Sequence, residues 1–150
     1  MAGFCPQRLY KGCHHLSAPI TVTCTDIDVY YKIEGTWSDG ELCNNGFVWD
    51  GNGKITYIGK SGVFFLFTGA SDLQASKTCQ VTYKTYINGT GADNLQTPTT
   101  FSHANAIRNM GITNIIKLNK DDYVEIFVKS DTASTDVTIT NLFLTFLGDM

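Results

Sequence analysis

The residues that could carry chemistry are few and scattered in this sequence. Cys5, Cys13, His14 and His15 lie near the N-terminus, and thiolate and imidazole groups are common zinc ligands. Their spacing matches no standard zinc motif, so we favour a segment without metal and expect no cofactor. His103 is the remaining histidine, and no Gly-x-Ser-x-Gly nucleophile motif accompanies it. Without a nucleophile and base set, the sequence predicts a protein that is not an enzyme.

The segment Asp50-Gly-Asn-Gly53 begins like a calcium-binding loop. The pattern then fails, because Lys54, Ile55 and Ser61 stand where an EF-hand loop has a ligand, a glycine and a glutamate. Between a calcium loop and a β-turn, we favour the turn.

Two tryptophans and two cysteines have alternative interpretations. Trp37 and Trp49 lie in a region rich in Gly and Asp, and exposed rings there could contact a glycan. Core packing is the interpretation we favour, because tryptophan is buried on average. The chain has 5 cysteines, an odd number that cannot all pair internally. Cys24 and Cys79 fall on apolar strand faces and are predicted to be buried thiols.

Composition favours β-structure, with 19 Thr and 14 Gly against 8 Ala and 3 Glu. The formal net charge is −3, and the lysines and arginines are scattered. We therefore expect no nucleic-acid partner. No apolar run is long enough to cross a membrane, so we expect no membrane partner. The first residues lack the apolar segment of a secretory signal, which predicts folding in a cytosol.

Short strand patterns recur along the chain and predict nine or ten strands in one antiparallel sandwich. Residues 26–33 alternate, with Ile27 and Val29 on the buried face. Residues 63–67 are apolar at every position, which is typical of a strand covered on both faces. Residues 92–110 are polar and predict a surface loop with one short strand. Further strands are predicted at 20–24, 78–87, 112–118, 123–129 and 137–147. The sandwich domain covers residues 18–150, after an extended N-terminal arm at 1–17.

Four segments resemble the C1q/TNF-like trimeric jelly-roll family. Residues 61–67 resemble its Gly-x-Tyr-x-Phe strand, and 78–89 its next strand and Asn-Gly turn. Residues 116–126 resemble its Leu-x-x-Gly-Asp-x-Val hairpin, and 141–147 its closing Phe-x-Gly-Phe-x-Leu strand. Asp121 replaces the usual glycine, and Leu142 replaces a small residue.

The resemblance implies an all-β, antiparallel jelly roll that forms a homotrimer around a threefold axis. The apolar surplus of two segments then assigns the trimer interface to Val63, Phe65, Phe67, Phe143, Thr145 and Leu147.

Small jelly rolls of this kind resemble bacteriophage virion accessory proteins. We therefore expect a capsid decoration (cement) protein or head fibre, assembled in the host cytoplasm and located on the capsid surface. Its partner is then the major capsid protein. The residues expected to bind the capsid through the arm are Phe4, Arg8, Leu9, Tyr10, Lys11 and Leu16. The alternative is the receptor-binding tip of a tail fibre that contacts host surface glycan, with Trp37 and Trp49 as contacts.

Overall fold

The structure is a computed structural model that describes residues 9–39 and 45–149. Within these ranges the chain forms twelve β-strands and no helix. The strands are β1 (Leu9–Leu16), β2 (Ile20–Cys24), β3 (Tyr31–Lys32), β4 (Trp37–Asp39), β5 (Phe47–Trp49), β6 (Ile55–Tyr57), β7 (Val63–Ala75), β8 (Cys79–Ile87), β9 (Thr90–Phe101), β10 (Ile107–Leu118), β11 (Tyr123–Ser130) and β12 (Thr135–Asp149). No helix that could span a membrane occurs among the described residues.

The strands form two sheets, and all the strand pairs are antiparallel. The first sheet has the order β10-β7-β12-β1-β4, with β2 paired to β12. The second sheet has the order β5-β6-β11-β8-β9, with β3 paired to β11. One core of buried apolar side chains from both sheets lies between them. The predicted all-β sandwich is therefore confirmed.

The predicted N-terminal arm is wrong for residues 9–16, because these residues form β1 inside the first sheet. Strand β1 pairs with β12 from Leu9 onward and with β4 on its other side. Its alternate side chains Tyr10 and Leu16 are 8% and 5% exposed, so they belong to the core. Phe4 and Arg8 lie outside the described residues.

In strand β7, the apolar residues 63–67 are divided between the two faces of the sheet. Val63, Phe65 and Phe67 point into the core and are at most 8% exposed, whereas Phe64 and Leu66 point outward and are 63% and 47% exposed. Successive side chains on a strand point to opposite faces, so a continuous apolar run must place half of its residues on the outer surface.

The predicted strand at 26–33 is shorter in the structure. Only Tyr31–Lys32 forms a strand there. The chain turns at Asp28, where φ is 58° and the amide donates to the Ser130 carbonyl at 2.9 Å. Ile27 is consequently 58% exposed.

The predicted loop at 92–110 is mostly strand. Its polar residues lie in β9 and β10, which are the edge strands of their sheets and pair with β8 and β7. Edge strands tolerate polar side chains because they are less covered than central strands, so the sequence lacked the apolar signal that would have revealed them.

Candidate functional site

The outward face of the first sheet carries an apolar patch that a row of threonines divides. Leu66 in β7 lies opposite Ile115 in β10 and Leu147 in β12. Their exposed fractions are 47%, 73% and 44%. Phe64 and Phe143 extend the patch along β7 and β12. We call these five residues, Phe64, Leu66, Ile115, Phe143 and Leu147, the apolar face.

Threonines occupy the middle of the same surface. Thr68 lies opposite Thr145 in β12 and Thr113 in β10, and the Thr68 and Thr145 hydroxyls are hydrogen-bonded to each other. Because the Thr68 and Thr145 hydroxyls are partners, these two side chains can be covered by another surface at little desolvation cost.

Polar side chains border the apolar face on both sides. Lys11 and His15 in β1 lie opposite Leu147 and Phe143, and both are exposed. On the other side, the Lys117 ammonium lies 5.6 Å from the centre of the Phe64 ring. An apolar centre with a polar border is the typical anatomy of a protein–protein interface.

The structure divides the predicted trimer-interface residues into two groups. Phe143, Thr145 and Leu147 lie on the outward surface, as the prediction requires. Val63, Phe65 and Phe67 do not, because they are buried within one chain and leave almost no surface for a second copy. Their outward neighbours Phe64 and Leu66, together with Ile115, were missed because the sequence cannot tell which face of an apolar strand is covered.

The tryptophans do not form an exposed platform. Trp37 is 4% exposed, and its carbonyl accepts a hydrogen bond from the Trp49 indole at 3.3 Å. Trp49 is half-buried, and its ring centre lies 5.7 Å from that of the buried His14. The core interpretation is therefore confirmed for Trp37, and the predicted glycan contact through its ring is wrong.

The predicted burial of the Cys24 and Cys79 thiols is confirmed. Cys24 and Cys79 are buried free thiols. Burial, with a smaller contribution from the neighbouring Cys79, raises the pKa of the Cys24 thiol to about 11. Within residues 9–39 and 45–149, no cluster of three or more His, Cys, Asp or Glu side chains could hold a metal ion. Cys5 lies outside these ranges.

The segment 50–53 is a turn, as predicted. One Asp50 carboxylate oxygen accepts from the Asn52 amide at 2.7 Å and from the Lys54 amide at 3.0 Å. These bonds lower the pKa of Asp50 against the opposing effect of burial. Gly53 has φ +92°, and a Cβ there would lie 2.7 Å from a backbone carbonyl oxygen, so the turn requires glycine.

The sandwich has two different ends. At one end, which we call the terminal end, Leu9 pairs with Asp149. The exposed residues Lys60 and Lys120 lie on turns there, with their amides bonded to the Tyr10 and Ser61 hydroxyls. At the opposite end, which we call the distal end, are the loop 102–106, which contains the exposed His103, and the turn 131–134.

Comparison with solved structures places this fold among known jelly rolls. The chain is similar to Eiger TNF from S. frugiperda, with a TM-score of 0.66, 11% identity, and 95% of this chain and 92% of that chain covered. It is similar to murine APRIL with a TM-score of 0.59 and 12% identity, covering 92% and 98% of the two chains. It is also similar to the globular domain of zebrafish complement 1qA, with a TM-score of 0.50 and 13% identity, covering 94% and 96%.

No protein-family model matches the sequence, and no curated protein matches it. The similarity therefore defines the fold alone: this chain is a C1q/TNF-like antiparallel jelly roll.

Proposed function

We propose that the protein is a non-enzymatic homotrimer that works by attachment. The observation that carries this proposal is the apolar face, whose five large side chains are between 44% and 73% exposed in the single chain. An apolar surface of this extent on a soluble chain is a liability unless a partner covers it.

A second copy of the chain is the partner that best explains this face. The family resemblance implies packing around a threefold axis, and closed cyclic symmetry hides the face in all three subunits at once. Transferring a Phe, Leu or Ile side chain from water to a protein interior contributes about 1.5–3 kcal/mol. With the exposed fractions given above, the apolar face offers about 4–8 kcal/mol per subunit before the entropic cost of association.

The attachment that we propose is to a virus particle, as a capsid decoration (cement) protein or head fibre that binds the major capsid protein. A trimer matches a threefold point of a capsid lattice, and three linked contacts bind far more tightly than one. Because residues 9–16 belong to β1, attachment falls to residues 1–8 and to the lysines of the terminal end. Lys60 and Lys120 would meet an acidic capsid surface there.

Binding to purified capsids that lack the protein tests this role. The deletion must end at residue 8, since a longer one would remove β1. We expect the full-length chain to bind and to raise the capsid melting temperature. Removal of residues 1–8, or the double substitution Lys60→Glu and Lys120→Glu, should weaken binding. Lys77→Glu is the control, because its ammonium bonds the Ala133 carbonyl at the distal end.

The alternative function is the receptor-binding tip of a tail fibre. The same preparations separate the two roles. Binding to host cells or to lipopolysaccharide, with no affinity for capsids, would contradict the decoration role and favour the tip. Equal capsid binding by the control and the terminal-end variants would contradict attachment through this end.

A further inference from the structure

A shallow, open cavity of about 450 Å³, with a lining that is polar and apolar in about equal parts, lies on the distal end of the second sheet. It lies where β8 begins, β9 ends and the turn after β11 meets them. Its described lining includes the Asp131 carboxylate, the Gln80 amide and the hydroxyls of Thr78, Thr100, Ser102 and Thr132. These side chains are exposed, apart from the half-buried Thr132. The cavity is not part of the apolar face, which lies on the other sheet.

Hydrogen bonds hold the Asp131 side of this cavity in place. One carboxylate oxygen of Asp131, Oδ1, accepts from the Gln80 amide at 2.9 Å and from the Thr132 hydroxyl at 3.1 Å. The Asp131 amide donates to the Gln80 carbonyl at 3.1 Å. Behind it, the buried Ser130 hydroxyl accepts from the Thr132 amide at 3.1 Å. A carboxylate fixed in this way loses little freedom when it binds a ligand.

The second carboxylate oxygen of Asp131, Oδ2, accepts no hydrogen bond from the described residues, and Asp131 lines a cavity that also contains hydroxyl groups. Carboxylate and amide oxygens accept from ligand hydroxyls, and serine and threonine hydroxyls both donate and accept. A ligand with several neighbouring hydroxyl groups satisfies such a lining best.

Charge excludes other ligand classes. The described lining contains one carboxylate and no cationic side chain. The nearby Lys77 ammonium donates to the Ala133 carbonyl at 2.8 Å. Phosphates, sulfates and acidic sugars would therefore meet a negative site without a counter-charge.

We propose that this cavity binds a neutral saccharide. The buried Phe101 ring is 0% exposed and cannot stack on a sugar, so each site depends on hydrogen bonds and binds in the millimolar range. A trimer presents three such sites at the end opposite the terminal end. Only the presence of three sites rests on the proposed trimeric attachment role, because binding to one site can be measured in a single chain.

The test is a titration of the ¹⁵N-labelled full-length protein with neutral monosaccharides, followed by amide chemical shifts. The panel contains glucose, galactose, mannose, fucose and the two N-acetylhexosamines, with sialic acid as the acidic comparator. We expect saturable shifts at Gln80, Thr100 and Asp131 with at least one neutral sugar, and none with sialic acid.

Variants locate the binding. Asp131→Asn removes the charged acceptor and should weaken binding at least about tenfold. Thr100→Val removes one hydroxyl at nearly constant shape, and tests the site even if Asp131→Asn fails to fold. Asp136→Asn is the matched control, because Asp136 also accepts from a threonine hydroxyl, at 2.7 Å, but lies outside the cavity.

The sugars are added to 100 mM, about a hundred times a dissociation constant of ~1 mM. The inference is overturned if no neutral sugar shifts the cavity amides at that concentration, or if both cavity variants bind as tightly as the unmodified chain. These outcomes are independent of the trimer. A trimer that binds no sugar would overturn the saccharide site alone, and a monomer that binds sugar would overturn the trimer alone.

Discussion

Replacing Leu66 by aspartate should dissociate the trimer. Leu66 is 47% exposed on the apolar face, between Ile115 and Leu147. The substitution removes about 1 kcal/mol of favourable apolar burial from the interface in each subunit. The unpaired aspartate that replaces the leucine costs about 2 kcal/mol more. Three copies weaken the trimer by about 9 kcal/mol, which raises its dissociation constant by about six orders of magnitude. Light scattering should give about three times 16.5 kDa for the unmodified chain and 16.5 kDa for Leu66→Asp.

Val48→Asp provides the matched control for this experiment. Val48 is also an apolar strand residue, with 45% exposure, but it lies in β5 of the second sheet. Its substitution should leave the trimer intact. Circular dichroism confirms that each variant folds, and Leu66→Asn serves if the aspartate does not. A monomeric unmodified chain, or a trimeric Leu66→Asp variant that is folded, would refute the argument.

Three further predictions concern the single chain. Phe65→Ala should lower the free energy of unfolding by about 3–5 kcal/mol because the ring is fully buried, whereas Phe64→Ala should cost under about 1 kcal/mol in the monomer; urea denaturation distinguishes them. Gly53→Ala should cost about 2–4 kcal/mol through its close contacts and positive φ, while Gly51→Ala, with φ +79° and no neighbour within 4 Å, should cost only about 1 kcal/mol in the same assay. Because folding raises the pKa of the Cys24 thiol to about 11, the stability that this thiol contributes is present below pH 9 and is lost as pH rises toward 11. A smaller fall in melting temperature over that range is expected for Cys24→Ala, and an identical fall would contradict the assignment.

Local pattern was sufficient for most of the central strands. Residues 63–67 of β7, and the residues of β11 and β12, carry apolar side chains whose alternation or continuity predicts a strand without knowledge of its partners. The residue types at 50–53 likewise predicted a turn, and Asp50 accepts hydrogen bonds from two backbone amides there. The buried thiols of Cys24 and Cys79 followed from the same alternation.

The errors share one cause, which is that neighbouring strands supply what the local sequence lacks. The edge strand β9 and the first residues of β10, 107–110, lack a regular apolar pattern and acquire their structure by pairing with β8 and β7. The segment 9–16 was predicted to be an arm because it contains Lys11, His14 and His15. These side chains obscure the alternation of a strand, in which Tyr10, His14 and Leu16 are buried. It becomes a strand because β12 and β4 pair with it on both sides.

The composition and the strand patterns specify a β-sandwich, and the continuous apolar run at 63–67 specifies that both faces of one strand are apolar. Only the packing of the two sheets decides that Phe65 is core and that Phe64 and Leu66 are surface. The physical reason is that a strand has a side-chain period of two and two equivalent faces, and burial is assigned by the sheet that covers one of them. The distal cavity has the same origin, because Gln80, Thr100 and Asp131 are distant in sequence and meet only where β8, β9 and the turn after β11 converge.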